Sequence, residues 1–329
     1  FDAAKLAINE AKAAGSVNPA IYLPKLHTDA RYQHALEVAY LGACQALWQP
    51  LEAREFHGQG IEPITQIGLI DANEQTIKAV NALAAGQYAA RDLCGTEPER
   101  MAPPRFADYC VELFKGSKVA VDVIDDINTI DKNYPMLSTV ARASYAVERH
   151  HPRVVKLEYV PEGEVTRTLM FVGKGLVYDT GGADLKVGGY MAGMSRDKGG
   201  AASVAGFMKA VADYQPKGVK VISYLAVVRN SIGSDCFVPD EIINGLIENI
   251  LLNKDYYNRL IFDGYPRTLK QAQNLDLLTK KHNQKISVIL SLKVDEGDII
   301  KRIQGRRTCS KCGLIFNEYF NPATDENHK

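Results

Sequence analysis

An α/β fold built on a mainly parallel sheet is the architecture this sequence predicts, and two observations predict it. Strand-like and helical patterns alternate through the middle of the chain. The run VKVISYLAVV, residues 219–228, is almost continuously apolar, as a strand buried on both faces should be.

The elements follow in order. DAAKLAINEAKAAG and ARYQHALEVAYLGACQAL read as helices, and ITQIGLI (64–70) as a short strand. Residues 72–92 place apolar groups at helical spacing, supported by Ala and Gln. GTEPERMAPPR is a Pro-rich loop, with the next helix opening at Ala107–Phe114. KVAVDVID and VVKLEYV read as strands, and TLMFVGKGLVYDTGG as a long strand entering a glycine turn. Gly199–Tyr214 is a helix, because Val204, Phe207, Met208 and Val211 recur at three- and four-residue steps. After Cys236 the texture changes. PDEIINGLIENILLNKDYYN, RTLKQAQNLDLLTKKHN and EGDIIKRIQGRR read as helices, the last ending in a basic cluster. RLIFDGYP and ISVILSLKV read as strands.

Composition narrows the function classes. Apolar residues make up 46% of 329, enough for real cores. Lys plus Arg and Asp plus Glu balance at 39 each, so no global field draws nucleic acid or an anionic membrane. No apolar run nears the roughly 20 residues a bilayer crossing needs. The chain opens on Phe1 with no signal-peptide pattern, and its six cysteines are scattered apart from Cys309 and Cys312. Reduced thiols and a cytoplasmic location are the expectation.

The most informative segment is VGKGLVYDTGGADLKVGGYMAGMSRDKGGAA, residues 172–202. Lys174 and Asp179 flank a strand end, Lys186 follows the glycine turn, and Asp197 opens a helix. The helix N-terminus favours the negative charge of Asp197. Two converging carboxylates can hold hard divalent cations. A lysine beside such cations would have its ammonium form disfavoured and could serve as a neutral amine ligand.

This string resembles the signature of the leucyl aminopeptidase family of two-metal exopeptidases. The resemblance is carried by VGKG, YDTGG, Leu185–Lys186 and RDKGGAA. It extends more weakly to RDLCGTEPERMAPPRFADY (91–109) and VVRNSIGSD (227–235). It implies a truncated N-terminal α/β domain over 1–71 and a partial catalytic domain over 72–236. It also implies that Lys174, Asp179 and Asp197 are ligands to two Mn or Zn ions, with Asp179 touching both. Lys186 would polarise the scissile carbonyl of short peptides with a free N-terminus. Homo-hexamers are common in the family. The family's NTDAEGR-like motif, which supplies two further acidic ligands and an arginine, does not occur after Asp197. Weak metal binding and little or no peptidase activity are therefore expected.

Residues 237–276 resemble the nucleoside-monophosphate part of adenylate kinases, through DGYPRT (263–268) at a strand end. The resemblance implies that Arg267 grips the AMP phosphate, Gln271 reads adenine and Asp263 approaches a magnesium shell. Arg302 and Arg306 would contact ATP. Cys309 and Cys312 resemble half of a lid zinc clasp, which would need ligands from outside the chain. No GxxxxGK[ST] phosphate loop occurs. The expected whole is thus an incomplete aminopeptidase-type α/β catalytic domain followed by a partial P-loop-kinase-type α/β segment over 237–329. The join falls near SDCFVPDEII (234–243) without a flexible linker, as in a non-catalytic chimeric chain.

Overall fold

A computed structural model describes residues 1–24, 30–58, 61–188, 190–233, 236, 251, 269–287, 306–308 and 315–319. The chain forms two compact units, Phe1–Ile250 and Leu251–Lys329. No helix among the described residues is long and apolar enough to cross a membrane.

The first unit opens with helix α1 (Asp2–Ala13), the two-residue strand β1 (Ala20–Ile21), and helices α2 (Ala35–Leu47) and α3 (Leu51–His57). The strand expected over ITQIGLI shrinks to β2 (Gly68–Leu69), which pairs in parallel with β1. Ile8, Ala43, Leu47 and Ile64 form a small core here. Helix α4 (Glu74–Gly95) is capped by Asn73, whose side chain accepts from the Thr76 amide at 2.8 Å. Helix α5 spans Pro103–Phe114 and so begins before the expected Ala107. Two prolines in its first turn are the reason: they lack amides that a first turn could not use, and their fixed φ suits it.

A four-stranded sheet follows, in the order β3-β4-β6-β5. Its strands are β3 (Val119–Ile124), β4 (Arg153–Tyr159), β5 (Arg167–Asp179) and β6 (Val219–Asn230). The short helices α6 (Ile127–Asn133) and α7 (Pro135–Ala141) lie between β3 and β4, and α8 (Gly199–Tyr214) joins β5 to β6. Only β5 and β6 run parallel; β4 is antiparallel to both β3 and β6. The expectation of a mainly parallel sheet is therefore corrected. The connection 160–166 is too short for a crossover, so β4 must run against β5 and hence against β6. One sheet face packs on α5 and α8, and α4 packs against α8, around Leu93, Phe106, Leu157, Met208, Val221 and Leu225. On the opposite face Met170 and Val172 remain 70% and 79% exposed.

The second unit contains helix α9 (Leu269–Lys281), where Leu275 is buried; just after it, Gln284 donates from Nε2 to the Leu251 carbonyl at 2.8 Å. Strands β7 (Arg306–Thr308) and β8 (Ile315–Asn317) pair antiparallel. The helix expected to end in the basic cluster does not include Arg306 and Arg307, which lie in β7. Gly305 is a poor helix residue, and pairing with Phe316 and Asn317 draws the two arginines into a strand.

Candidate active site

The carboxyl end of the parallel β5–β6 pair is where an α/β sheet offers room to a ligand. Asp179 is the last residue of β5 and lies in register with Asn230, the last of β6. The chain then turns through Gly181, whose φ is +86° and where a Cβ would stand 2.3 Å from the Asp184 carbonyl oxygen. Only glycine fits there. The turn is fastened at both ends. The Gly181 amide donates to Asp179 Oδ1 at 3.0 Å, and the Thr180 hydroxyl donates to the Asn230 carbonyl at 3.2 Å.

Asp197 follows a single 3-10 turn, Met194–Arg196, and precedes Lys198, the N-cap of α8. It stands two residues ahead of Gly199, where the helix begins, rather than opening the helix itself, and is close enough for the positive end of the helix dipole to favour its charge.

The four side chains singled out in this segment come together. Lys174 Nζ is 3.0 Å from Asp197 Oδ2, and Lys186 Nζ is 3.3 Å from Asp179 Oδ2. Asp197 is itself within hydrogen-bonding reach of Asp179. The two carboxylates thus stand side by side, each paired with a lysine on its outer side: Lys174, Asp197, Asp179, Lys186. Burial pushes the Asp179 carboxyl upward, but the Gly181 amide and the Lys186 ammonium outweigh it, and its pKa lies below the ordinary aspartate value. Asp197 Oδ2 is buried without a hydrogen bond, since its ion pair with Lys174 lacks the alignment for one. An under-coordinated carboxylate oxygen beside a second carboxylate suits a hard cation. Among the described residues, no three His, Cys, Asp or Glu side chains gather at one point.

Of the expected nucleotide residues, Gln271 lies in α9 and Arg306 in β7. Asp263, Arg267, Arg302, Cys309 and Cys312 lie outside the described residues.

Several residues around the site carry no role in the motif. Lys198 is fully buried, and its Nζ donates to the carbonyls of Ser195 (2.6 Å) and Thr96 (2.8 Å). Arg229 is 1% exposed and donates from Nη1 to Glu99 Oε2 at 2.6 Å, with His150 Nε2 2.9 Å from the same oxygen. RDKGGAA, GTEPER and VVRNS contain Lys198, Glu99 and Arg229, but nothing in a linear reading says that they meet.

Comparison with known proteins matches residues 88–261 to the catalytic domain of the cytosol aminopeptidase family and 223–328 to adenylate kinase. A Caenorhabditis elegans protein that carries an aminopeptidase name is 42% identical over 247 residues, 73% of this chain and 46% of that protein. An adenylate kinase from Pelagibacter ubique is 46% identical over 101 residues, 31% of this chain and 47% of its own length. The chain spans about half the length of the curated relatives it matches. Among solved structures, the bottromycin maturation enzyme BotP in complex with Mn superposes with a TM-score of 0.57 at 24% identity, over 69% of this chain and 47% of that one. Cytosol aminopeptidase from Coxiella burnetii superposes at 0.50 and 25% identity, over 62% and 41%. These structures share the mixed α/β fold of the first unit. With more than half of its residues matched to that catalytic domain, and with Lys174, Asp179, Lys186 and Asp197 gathered at one strand end, the chain belongs to the cytosol aminopeptidase family.

Proposed function

We propose that residues 72–236 carry part of a leucyl aminopeptidase-type site for short peptides with a free N-terminus, with 1–71 belonging to an N-terminal α/β domain. The cluster Lys174–Asp197–Asp179–Lys186, two adjacent carboxylates each paired with a lysine, carries this reading. Asp179 and Asp197 are the carboxylate donors to divalent cations, Mn or Zn, and Lys174 is the amine donor. Bound cations supply Lewis acidity and an activated water. Lys186 contributes an ammonium for the charge that develops on the scissile carbonyl oxygen. The glycine turn holds Asp179 so that this charge forms against fixed groups.

Peptide hydrolysis is impaired in this reading. No NTDAEGR-like string follows Asp197, and two carboxylates are few for two cations. The test is a Mn²⁺ titration of the purified chain with leucyl-anilide hydrolysis as a second readout. Weak binding, lost in Asp179→Asn, with little or no turnover is expected. Robust turnover refutes the impairment; a wild-type chain that takes no Mn²⁺ refutes the metal site.

A second reading concerns 237–329, and the adenylate kinase match over 223–328 favours it. Here the segment is a nucleotide-binding fragment in which Arg267 would bind the AMP phosphate, Gln271 its adenine, Arg302 and Arg306 ATP, and Asp263 a magnesium shell. Without a phosphate loop it is a weak phosphotransferase at best. ADP formation from ATP and AMP would support turnover by this part. A chain that performs neither reaction is a non-catalytic join of two families, whose matches overlap over 223–261.

A further inference from the structure

We infer that the loop Thr96–Arg100 is a strut that sets the spacing of Asp179 and Asp197, with Glu99 and Lys198 as its positioning residues. The inference rests on the metal-site reading above. Each aspartate belongs to a different element, and both elements are tied to this one loop.

On the Asp197 side the tie is Lys198. Its bond to the Ser195 carbonyl closes the turn that carries Asp197, and its bond to the Thr96 carbonyl fastens that turn to the start of the loop. Cys94 Sγ adds a weaker contact, 3.8 Å from the Arg196 carbonyl oxygen.

On the Asp179 side the tie is Glu99. Its carboxylate accepts from Arg229 and lies against His150, and it also pairs with Arg149. Arg229 is adjacent to Asn230, whose carbonyl receives the Thr180 hydroxyl one residue after Asp179. The path is thus Glu99, Arg229, Asn230, Thr180, Asp179.

The loop between the two ties is stiff. The Glu97 carboxylate accepts the Glu99 and Arg100 amides, each at 2.8 Å, and the Met101 amide donates to the Glu97 carbonyl at 2.8 Å. Met101 is fully buried and anchors the loop in the core. Apolar side chains of similar volume would fill this space at no loss of stability. Directional bonds from buried cations do something packing alone does less well, which is to hold a backbone to a fraction of an ångström.

The test is amide hydrogen exchange on the full chain. Glu99→Gln keeps the shape of the side chain and removes its charge. The amides of Gly181 and Gly182, bonded to Asp179 Oδ1 and Thr180 Oγ1, report one turn. Those of Arg196 and Asp197, bonded to the Gly193 and Met194 carbonyls, report the other. Exchange about tenfold faster at both turns is expected, with the α1–α2 region unchanged. Lys198→Met probes the strut from its other end and serves if Glu99→Gln does not fold; Lys198→Arg should restore wild-type exchange. Unchanged exchange at both turns, or acceleration confined to 97–101, overturns the strut. A separate Mn²⁺ titration followed by electron paramagnetic resonance should show affinity about tenfold lower in Glu99→Gln. Failure of the wild type to bind Mn²⁺ would remove the metal reading, while the exchange comparison would still decide the strut.

Discussion

Gly206→Ala tests whether the helix pair beneath the sheet is as tightly seated as its backbone contacts imply. A Cβ at Gly206 would stand 2.4 Å from the Gly86 carbonyl oxygen and 2.9 Å from Ala90 Cβ, and a Cβ at Gly86 would stand 2.3 Å from the Gly206 oxygen. The obstructing atoms are largely backbone, so no side-chain rotation relieves them. To reach an ordinary contact, α8 must retreat from α4 by about 1 Å, and a gap of that size forfeits roughly half of each dispersion contact across it. Overpacking of this kind costs about 1–3 kcal/mol, and the obstruction by backbone argues for the upper end. Better helix propensity returns about 1 kcal/mol. The net loss is about 2 kcal/mol, or a melting temperature lower by about 4–8 °C for a unit of this size. Trp48, the only tryptophan, lies in the first unit and donates to Asp92 Oδ1 at 3.0 Å, so its fluorescence reports the melt. Gly95→Ala is the control, because a Cβ there meets only Trp48 Cη2 at 3.9 Å. A Gly206→Ala protein that melts at or above the wild type, or a control that suffers equally, would refute the reasoning.

Further outcomes are expected. Asp92→Ala removes a 2%-exposed carboxylate that accepts from Trp48 and Tyr109 and pairs with Arg54; a loss of about 3–5 kcal/mol should appear in denaturant melts, with a shifted Trp48 emission. Asn73→Ala deletes the α4 cap and should lower stability by about 1 kcal/mol in the same assay. Burial pushes the Cys110 thiol from 9.0 up to about 12. The unfolded chain therefore releases this proton first, and between those two values each pH unit weakens the fold by about 1.4 kcal/mol. Urea melts across that window should show a shallower alkaline loss in Cys110→Ala. An unchanged slope would mean that the thiol does not titrate in this way.

The candidate site was legible in the sequence because its four charged groups lie close along the chain, between Lys174 and Asp197, on a strand, a glycine turn and a helix start. Local rules govern each of those pieces. The helix Gly199–Tyr214 was readable from its apolar spacing, and β6 from its unbroken apolar run. The start of α5 was misjudged because prolines signal a loop and also suit a first helical turn. Arg306 was misplaced because strand pairing overrode the helical pattern before it.

By itself the sequence determined which chemical groups stand near the turn, which segments are extended or helical, and that two families contribute to one chain. It could not determine the direction of β4, which depends on a short connection and on β6 taking the place between β4 and β5. Nor could it assign Glu99, Lys198 and Arg229. Glu99 and Arg229 are 130 positions apart and meet only when the sheet and its helices have closed. Hydrophobic periodicity is written locally, whereas the pairing of buried charges is settled by whichever distant elements the packed core brings together.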